Sequence, residues 1–258
     1  MSSAQQATDA TLAEDATSAL IDTFVALYAA APPGAYVRHA DGASAMVSGG
    51  MFASLNILLV TDARVRLDTV SELLDEMTTL GIPHVVQARP AAAERVADLL
   101  GARGKAEAER LPLMVLTGAP RFDRPSEALT IRHLTHGQGG QHVRLMAAAF
   151  GIAEDLIAAV LTDDVLTMPG ARSYVGDVDG LPVATGFGFH TGEHVGVFSM
   201  GTLEQHRGRG YGAAVAARVI ADGMAAGATR SFLQSSELGF HVYQRLGYRQ
   251  VESWTMWV

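Results

Sequence analysis

The segment from Thr202 to Ala213, centred on Arg207-Gly208-Arg209-Gly210-Tyr211-Gly212, constrains the fold more than any other stretch of the 258 residues. It follows a β-like run, His194-Val195-Gly196-Val197-Phe198-Ser199-Met200, and opens into Ala213 to Ala226, whose Ala, Val and Ile content reads as a helix. A strand, a glycine turn and a helix N-terminus in succession bring several backbone N–H groups to one point. The helix dipole adds roughly half a positive charge there. Such a turn is a seat for a phosphate or pyrophosphate, with glycines that let the backbone approach the anion and Arg207 and Arg209 as mobile positive charge.

Composition narrows what that seat can serve. The apolar fraction of 48% fills real cores, and the length allows two modest domains or one large one. No cysteine occurs, which excludes disulfides, thiolate zinc sites and a cysteine nucleophile and suits a reducing compartment. A formal net charge of −8 argues against a nucleic-acid partner. The first fifteen residues lack a basic and apolar leader pattern, and no later run is long and uncharged enough to span a bilayer, so a cytoplasmic protein without a membrane partner is expected.

Along the chain, residues 1 to 10 read as a polar tail and Leu12 to Tyr28 as a helix stopped by Pro32-Pro33-Gly34. A hairpin is expected over Tyr36 to Val47, turning at Asp41-Gly42. Strands follow over Ser54–Val60, His84–Ala88 and Leu111–Leu116, with helices over Leu67–Leu80 and Ala91–Leu100. The segment Gly118 to Pro125 reads as a linker between domains at residues 1–120 and 127–258. Beyond it come a strand (Leu129–Leu134), helices (His142–Phe150, Ala153–Leu166) and a hairpin, Ser173–Val178 with Val183–Phe189, turning at Asp179-Gly180. After the glycine turn and its helix come a strand (Ser231–Gln234), a helix (Gly239–Leu246) and a closing strand (Arg249–Trp257). The fold class is therefore α/β with a mixed sheet. Gly81 and Gly227, and likewise Gly101 and Gly247, are separated by 146 residues, each after a helix and before a strand. This spacing predicts one architecture used twice, and it lays the glycine turn on residues 61–66, which contain no glycine, and Tyr243 on Ala97.

Arg207-x-x-Gly210-x-Gly212 after a β-run, followed by Tyr243-Gln244-Arg245-Leu246-Gly247-Tyr248, resembles the GNAT superfamily of N-acetyltransferases. The first block is similar to that family's acyl-CoA signature, Q/R-x-x-G-x-G/A, and the second to its Y-x-x-L-G-F/Y segment. The resemblance covers roughly Leu129 to Val258; the first half resembles a degenerate copy with the element order but neither motif. It implies tandem acyl-CoA N-acyltransferase folds and transfer of an acetyl group from acetyl-CoA to a primary amine by direct attack. The CoA pyrophosphate would sit on the backbone N–H groups of Gly208, Arg209, Gly210, Tyr211 and Gly212, with Ala213 completing the turn and Arg207 at its head. Met200, Gly201 and Thr202 would bond the pantetheine arm and the thioester carbonyl, and Tyr243 would protonate the leaving thiolate.

Other readings stay open. Where some members carry a glutamate on the strand, this chain has Gly196, so the general base is unassigned among His194, Glu193, His190, Glu237 and the Val258 carboxylate. Gly208-x-Gly210-x-x-Ala213 also fits a dinucleotide fingerprint, although only 45 residues follow it. A non-catalytic acyl-CoA-binding regulator is the alternative function. No metal is expected, the pairs His133/His136 and His190/His194 lying on no firm helix. Trp254 and Trp257 should face opposite sides of a strand, and Met46 and Met51 are candidates to line a pocket between the halves. The acceptor, a small-molecule or peptide amine, is not readable, and the sequence leaves a homodimer open.

Overall fold

The computed structural model describes residues 3–122 and 129–258. The first half comprises α1 (Ser3–Ala29), the hairpin β1 (Tyr36–Ala40) and β2 (Ala43–Val47), then β3 (Asn56–Val60), α2 (Leu67–Thr79), β4 (Val85–Ala88), α3 (Pro90–Ala102) and β5 (Glu107–Thr117). The second comprises β6 (Leu129–His133), α4 (Gly140–Phe150), α5 (Glu154–Ala158), α6 (Asp163–Thr167), β7 (Ala171–Val178), β8 (Leu181–Thr191), β9 (His194–Thr202), α7 (Tyr211–Ala225), β10 (Arg230–Gln234), α8 (Glu237–Leu246) and β11 (Arg249–Trp257). Part of the expected linker, residues 123–125, lies outside the described residues, as do residues 1 and 2 of the expected polar tail. From Ser3 the tail is helical.

All the strands form one sheet in the order β1-β2-β3-β4-β11-β5-β10-β9-β8-β7-β6. Two parallel pairs are built by crossovers through a helix, β3-α2-β4 and β9-α7-β10. Each half gives its last strand to the other: β5 pairs with β10 on one side, and β11 lies between β4 and β5. The β5–β11 ladder runs from Val115–Arg249 to Glu107–Trp257, so the two expected units share a seam of main-chain hydrogen bonds. Because β4 runs antiparallel to β11, and β11 parallel to β10, the carboxyl ends of the two parallel pairs point to opposite edges of the sheet.

Strand alternation explains the layers. Ile57 and Leu59, Leu113 and Val115 face a core beneath α1, α4, α5 and α6. Leu58 and Val60 face α2 and α3, and Met114 and Leu116 face α7 and α8. Trp254 belongs to the first core and Trp257 to a second, on opposite faces as the spacing predicts. Helix α1 crosses the seam and is pinned to it by Asp9–Arg249, Glu14–Arg89 and Asp15–Arg230.

Three local expectations are corrected. The helix expected over Ala153–Leu166 is two short helices, because the chain turns at Ala159–Thr162 and Thr162 caps the second by accepting from the Val165 N–H. Gly101 lies inside α3, and it is Gly104, at φ +75°, that ends that helix as Gly247 ends α8. Met46 is fully buried in the α1 core while Met51 is exposed, so the two do not line one pocket.

Candidate active site

The glycine turn joins β9 to α7. Gly208 and Gly210 have φ of +76° and +79°, and a Cβ at either would meet nothing within 4 Å. Only glycine takes such a backbone without strain, and it leaves the N–H groups unobstructed. The N–H groups of residues 208–213 donate to no acceptor among the described residues, and Ala214 N–H is the first to close a helical bond, onto Gly210. Gly212 lets the helix sit against β9, since a Cβ there would lie 3.0 Å from Thr202 Oγ1. Tyr211 contributes its amide to the turn but buries its ring in the core beneath α7. Arg209 is exposed.

Arg207 is held rather than mobile. Its Nε donates to Thr202 O at 3.2 Å and its Nη2 to Ala149 O at 2.8 Å. The guanidinium thus ties the turn to the end of β9 and to the last turn of α4, where a cation also suits the helix dipole.

Below the turn the sheet forks. The β9–β10 ladder has rungs only at His194–Arg230, Val195–Ser231 and Gly196–Phe232, although β9 continues to Thr202. On its other side β9 carries a bulge: Ser199 and Met200 together oppose Gly186, and Ser199 has φ +50°. The bulge bends β9 away from β10, which leaves the main chain from Val197 onward without a strand neighbour on that side. Met200 packs over Gly186 towards α7, and Gly201 lets α4 approach, a Cβ there lying 2.9 Å from that of Ala149. Met200, Gly201 and Thr202 therefore line the open arm of the fork.

Tyr243 projects from α8 on the α7 side. Its ring stands edge-on to that of Tyr248 with centroids 5.7 Å apart, and burial pushes its pKa above the usual tyrosine value, so the phenol keeps its proton. Tyr248 is committed elsewhere: Ser231 donates to Val195 O at 2.9 Å, so the 2.5 Å contact between the hydroxyls is Tyr248 donating to Ser231.

The candidate bases scatter. His194 starts β9, roughly 25 Å along the strand from Thr202 at about 3.3 Å per residue; burial keeps it neutral, and its Nε2 is buried without a partner. Glu193 is beside it in the turn, 3.6 Å from Arg230. His190 lines a separate cavity of about 140 Å³ with Arg172, Tyr174 and Asp222. The end of β11 is carried into the other half by the strand exchange, where Val258 exchanges main-chain hydrogen bonds with Ala106. Only Glu237, exposed in the first turn of α8, is at the forked end.

Several residues at the fork carry no motif. Phe198 and Phe232, on the α1 face, have ring centroids 5.9 Å apart, and Phe24 of α1 approaches Phe198 at 6.5 Å. Gly196 is glycine because their rings fill its side-chain space: a Cβ there would collide with Phe198 and lie 2.8 Å from Phe232. A glutamate at this position has no room. His142 on α4 is wholly buried. Thr185 donates to Tyr174 O at 2.8 Å, so the 2.7 Å contact between His142 Nδ1 and Thr185 Oγ1 places the ring proton on Nδ1. Burial pushes the pKa of His142 down to about 4.

The corresponding strand pair of the first half does not fork. β3 and β4 are zipped from Ile57–Val85 to Val60–Ala88, and residues 61–66 make a turn without glycine. A cavity of about 650 Å³ lies there, but its Arg89 is already paired with Glu252 at 2.6 Å and with Glu14 at 2.7 Å. Among the described residues no group of three or more His, Asp or Glu is placed to hold a metal ion, and no helix is long and apolar enough to cross a membrane.

A mixed sheet with a forked parallel pair, and a glycine turn leading from the fork into a helix N-terminus, collects unpaired amides at the carboxyl ends of its strands, an arrangement suited to an anion. Residues 145–248, which contain β9, the turn, α7, β10 and α8, match the model of the acetyltransferase (GNAT) family. The architecture is similar over almost its whole length to a GCN5-related N-acetyltransferase from Kribbella flavida (TM-score 0.71, 17% identity, 93% of this chain and 92% of that one). It is also similar to a GCN5-related N-acetyltransferase from Sphaerobacter thermophilus (TM-score 0.59, 20% identity, 84% and 76%). A tandem GNAT protein from the clavulanic acid biosynthesis pathway matches with TM-score 0.55 and 15% identity, over 88% and 83% of the chains. These likenesses give the fold. No curated protein matches the sequence.

Proposed function

We propose that the protein is an N-acetyltransferase that moves an acetyl group from acetyl-CoA to a primary amine by direct attack. The observation that carries the reading is the fork between β9 and β10 ending at a loop of unpaired amides. The pyrophosphate is held by the N–H groups of residues 208–213, with Arg209 adding free positive charge and Arg207 fixing the loop. Pantetheine runs down the open arm of β9 along Met200, Gly201 and Thr202, in the manner of an added strand. The amine nitrogen bonds to the thioester carbon, the C–S bond breaks, the nitrogen gives up one proton to solvent, the thiolate takes one from Tyr243, and Tyr243 recovers a proton from solvent. A thiolate whose thiol titrates near ~8.5 is a weaker base than tyrosinate, so the phenol must act by position rather than by driving force.

In the same reading residues 1–120 are a degenerate copy of residues 127–258. The paired β3 and β4 and the neutralised Arg89 support a first half that binds no acyl-CoA.

The test is thiol release from acetyl-CoA with a panel of amines, for the wild type and Tyr243→Phe. Turnover that falls about 10²-fold or more in the variant, at unchanged acetyl-CoA affinity, is the expected result. Binding without turnover by any amine would leave the acyl-CoA-binding regulator in its place.

A further inference from the structure

The two faces of the fork differ in chemistry. Helices α7 and α8 fill one face, and Tyr243, which serves the leaving sulfur, is on it. On the acetyltransferase reading the amine enters from the α1 face, where Phe24 and Phe198 keep accessible surface. What it meets there is aromatic. Phe232 is on the last rung, and Phe198 is the next residue of β9 on that face. Phe24 reaches down from α1, with Tyr28 edge-on to it at 5.6 Å and Phe187 behind Phe198 at 6.3 Å. Phe232 is buried, whereas Phe24 and Phe198 keep accessible surface. Further along the same face of β10 comes Gln234, two residues beyond Phe232. Its Nε2 is buried and has no hydrogen-bond partner, a costly state for an amide donor.

We infer that the acceptor is a primary amine carried on an aromatic body with an oxygen that accepts a hydrogen bond, the chemistry of an aromatic amino acid or its amide. This inference rests on the acetyltransferase reading of the fork. The ring stacks on Phe24 and Phe198, edge-to-face packing being the favoured geometry for such groups. Gln234 donates to the oxygen, which satisfies its orphan amide and orients the nitrogen towards the thioester. Phe24 lies outside the GNAT-matched residues 145–248, so α1, an element of the other half, sets the specificity of the site. Phe24 and Gln234 are specificity residues and take no part in proton transfer.

The experiment uses the full chain with acetyl-CoA and compares phenylalaninamide and phenylethylamine with spermidine and free lysine by thiol release. The aromatic amines are expected to show kcat/KM at least about tenfold above the aliphatic ones, with phenylalaninamide ahead of phenylethylamine. Phe24→Leu keeps apolar packing but removes the ring; it should raise KM for both aromatic amines about tenfold and leave acetyl-CoA affinity, read by calorimetry, unchanged. Gln234→Met should abolish the advantage of phenylalaninamide over phenylethylamine. A preference for spermidine or lysine, or equal KM values in wild type and Phe24→Leu, overturns the inference while the acetyltransferase reading stands. Failure to bind acetyl-CoA at all overturns that reading, and the inference falls with it.

Discussion

At the scale of single residues the fork is shaped as much by side chains left out as by those present. Gly196 is the clearest case, since the rings of Phe198 and Phe232 occupy its side-chain space. Gly196→Ala is expected to destabilise the protein by about 1–3 kcal/mol through overpacking, measured by urea unfolding; an unchanged midpoint would mean that the rings are free to move aside. His142 makes a second prediction. Unfolded it titrates near 6.5 and folded near about 4. Between those values the unfolded chain takes a proton that the native one refuses, so stability falls as pH drops from 6.5 to 4 and is unaffected above 6.5. The contribution is at most about 3 kcal/mol. His142→Gln, which does not titrate but keeps an amide to donate to Thr185, should show a shallower loss over that window, and parallel profiles would contradict the assignment. The glycine turn and Tyr243 are legible in the sequence because their chemistry is contiguous. Phe24, Phe198, Phe232 and Gln234 are not, because three separate elements of the fold, α1, β9 and β10, bring them into one place and none has a motif.

At the scale of elements the hairpins, the crossover helices and the closing strand follow from periodicity and turn residues, and their bounds agree with the structure to within a few residues. What periodicity does not contain is which strand lies beside which. β5 and β11 read as ordinary closing strands, and nothing local marks them as exchanged. The exchange carries the Val258 carboxylate away from the fork and makes α1 a clasp across the seam. Arg89 shows what the clasp depends on: its Nε and Nη2 grip both oxygens of Glu252 at 2.9 and 2.6 Å, its Nη1 meets Glu14, and the Trp254 indole donates to Glu252. Arg89 and Glu252 are mostly buried, with side chains 12% and 17% exposed. Removing one partner strands the other, so Arg89→Ala should cost about 3 kcal/mol in denaturant unfolding. Arg89→Met together with Glu252→Met should cost less than the single change. A double variant worse than Arg89→Ala would show that the pair stabilises more than its desolvation costs.

At the scale of the whole molecule two halves of like element order share one sheet, with their parallel pairs pointing to opposite edges and only one pair forked. Of the two glycine pairs spaced by 146 residues only Gly81 and Gly227 both follow a helix, Gly101 lying inside α3; the closing of β3 against β4 is not legible, because it depends on β3 having no bulge where β9 has one. On the proposed reading, one open fork per chain means one acyl-CoA site per chain. The direct measurement is isothermal titration of the purified protein with acetyl-CoA, beside an Arg209→Glu variant that reverses an exposed charge at the turn. The account predicts a single site per chain and an affinity at least about tenfold weaker in the variant, equivalent to about 1.4 kcal/mol. Two sites per chain, an unchanged affinity in Arg209→Glu, or no binding at millimolar acetyl-CoA would contradict it.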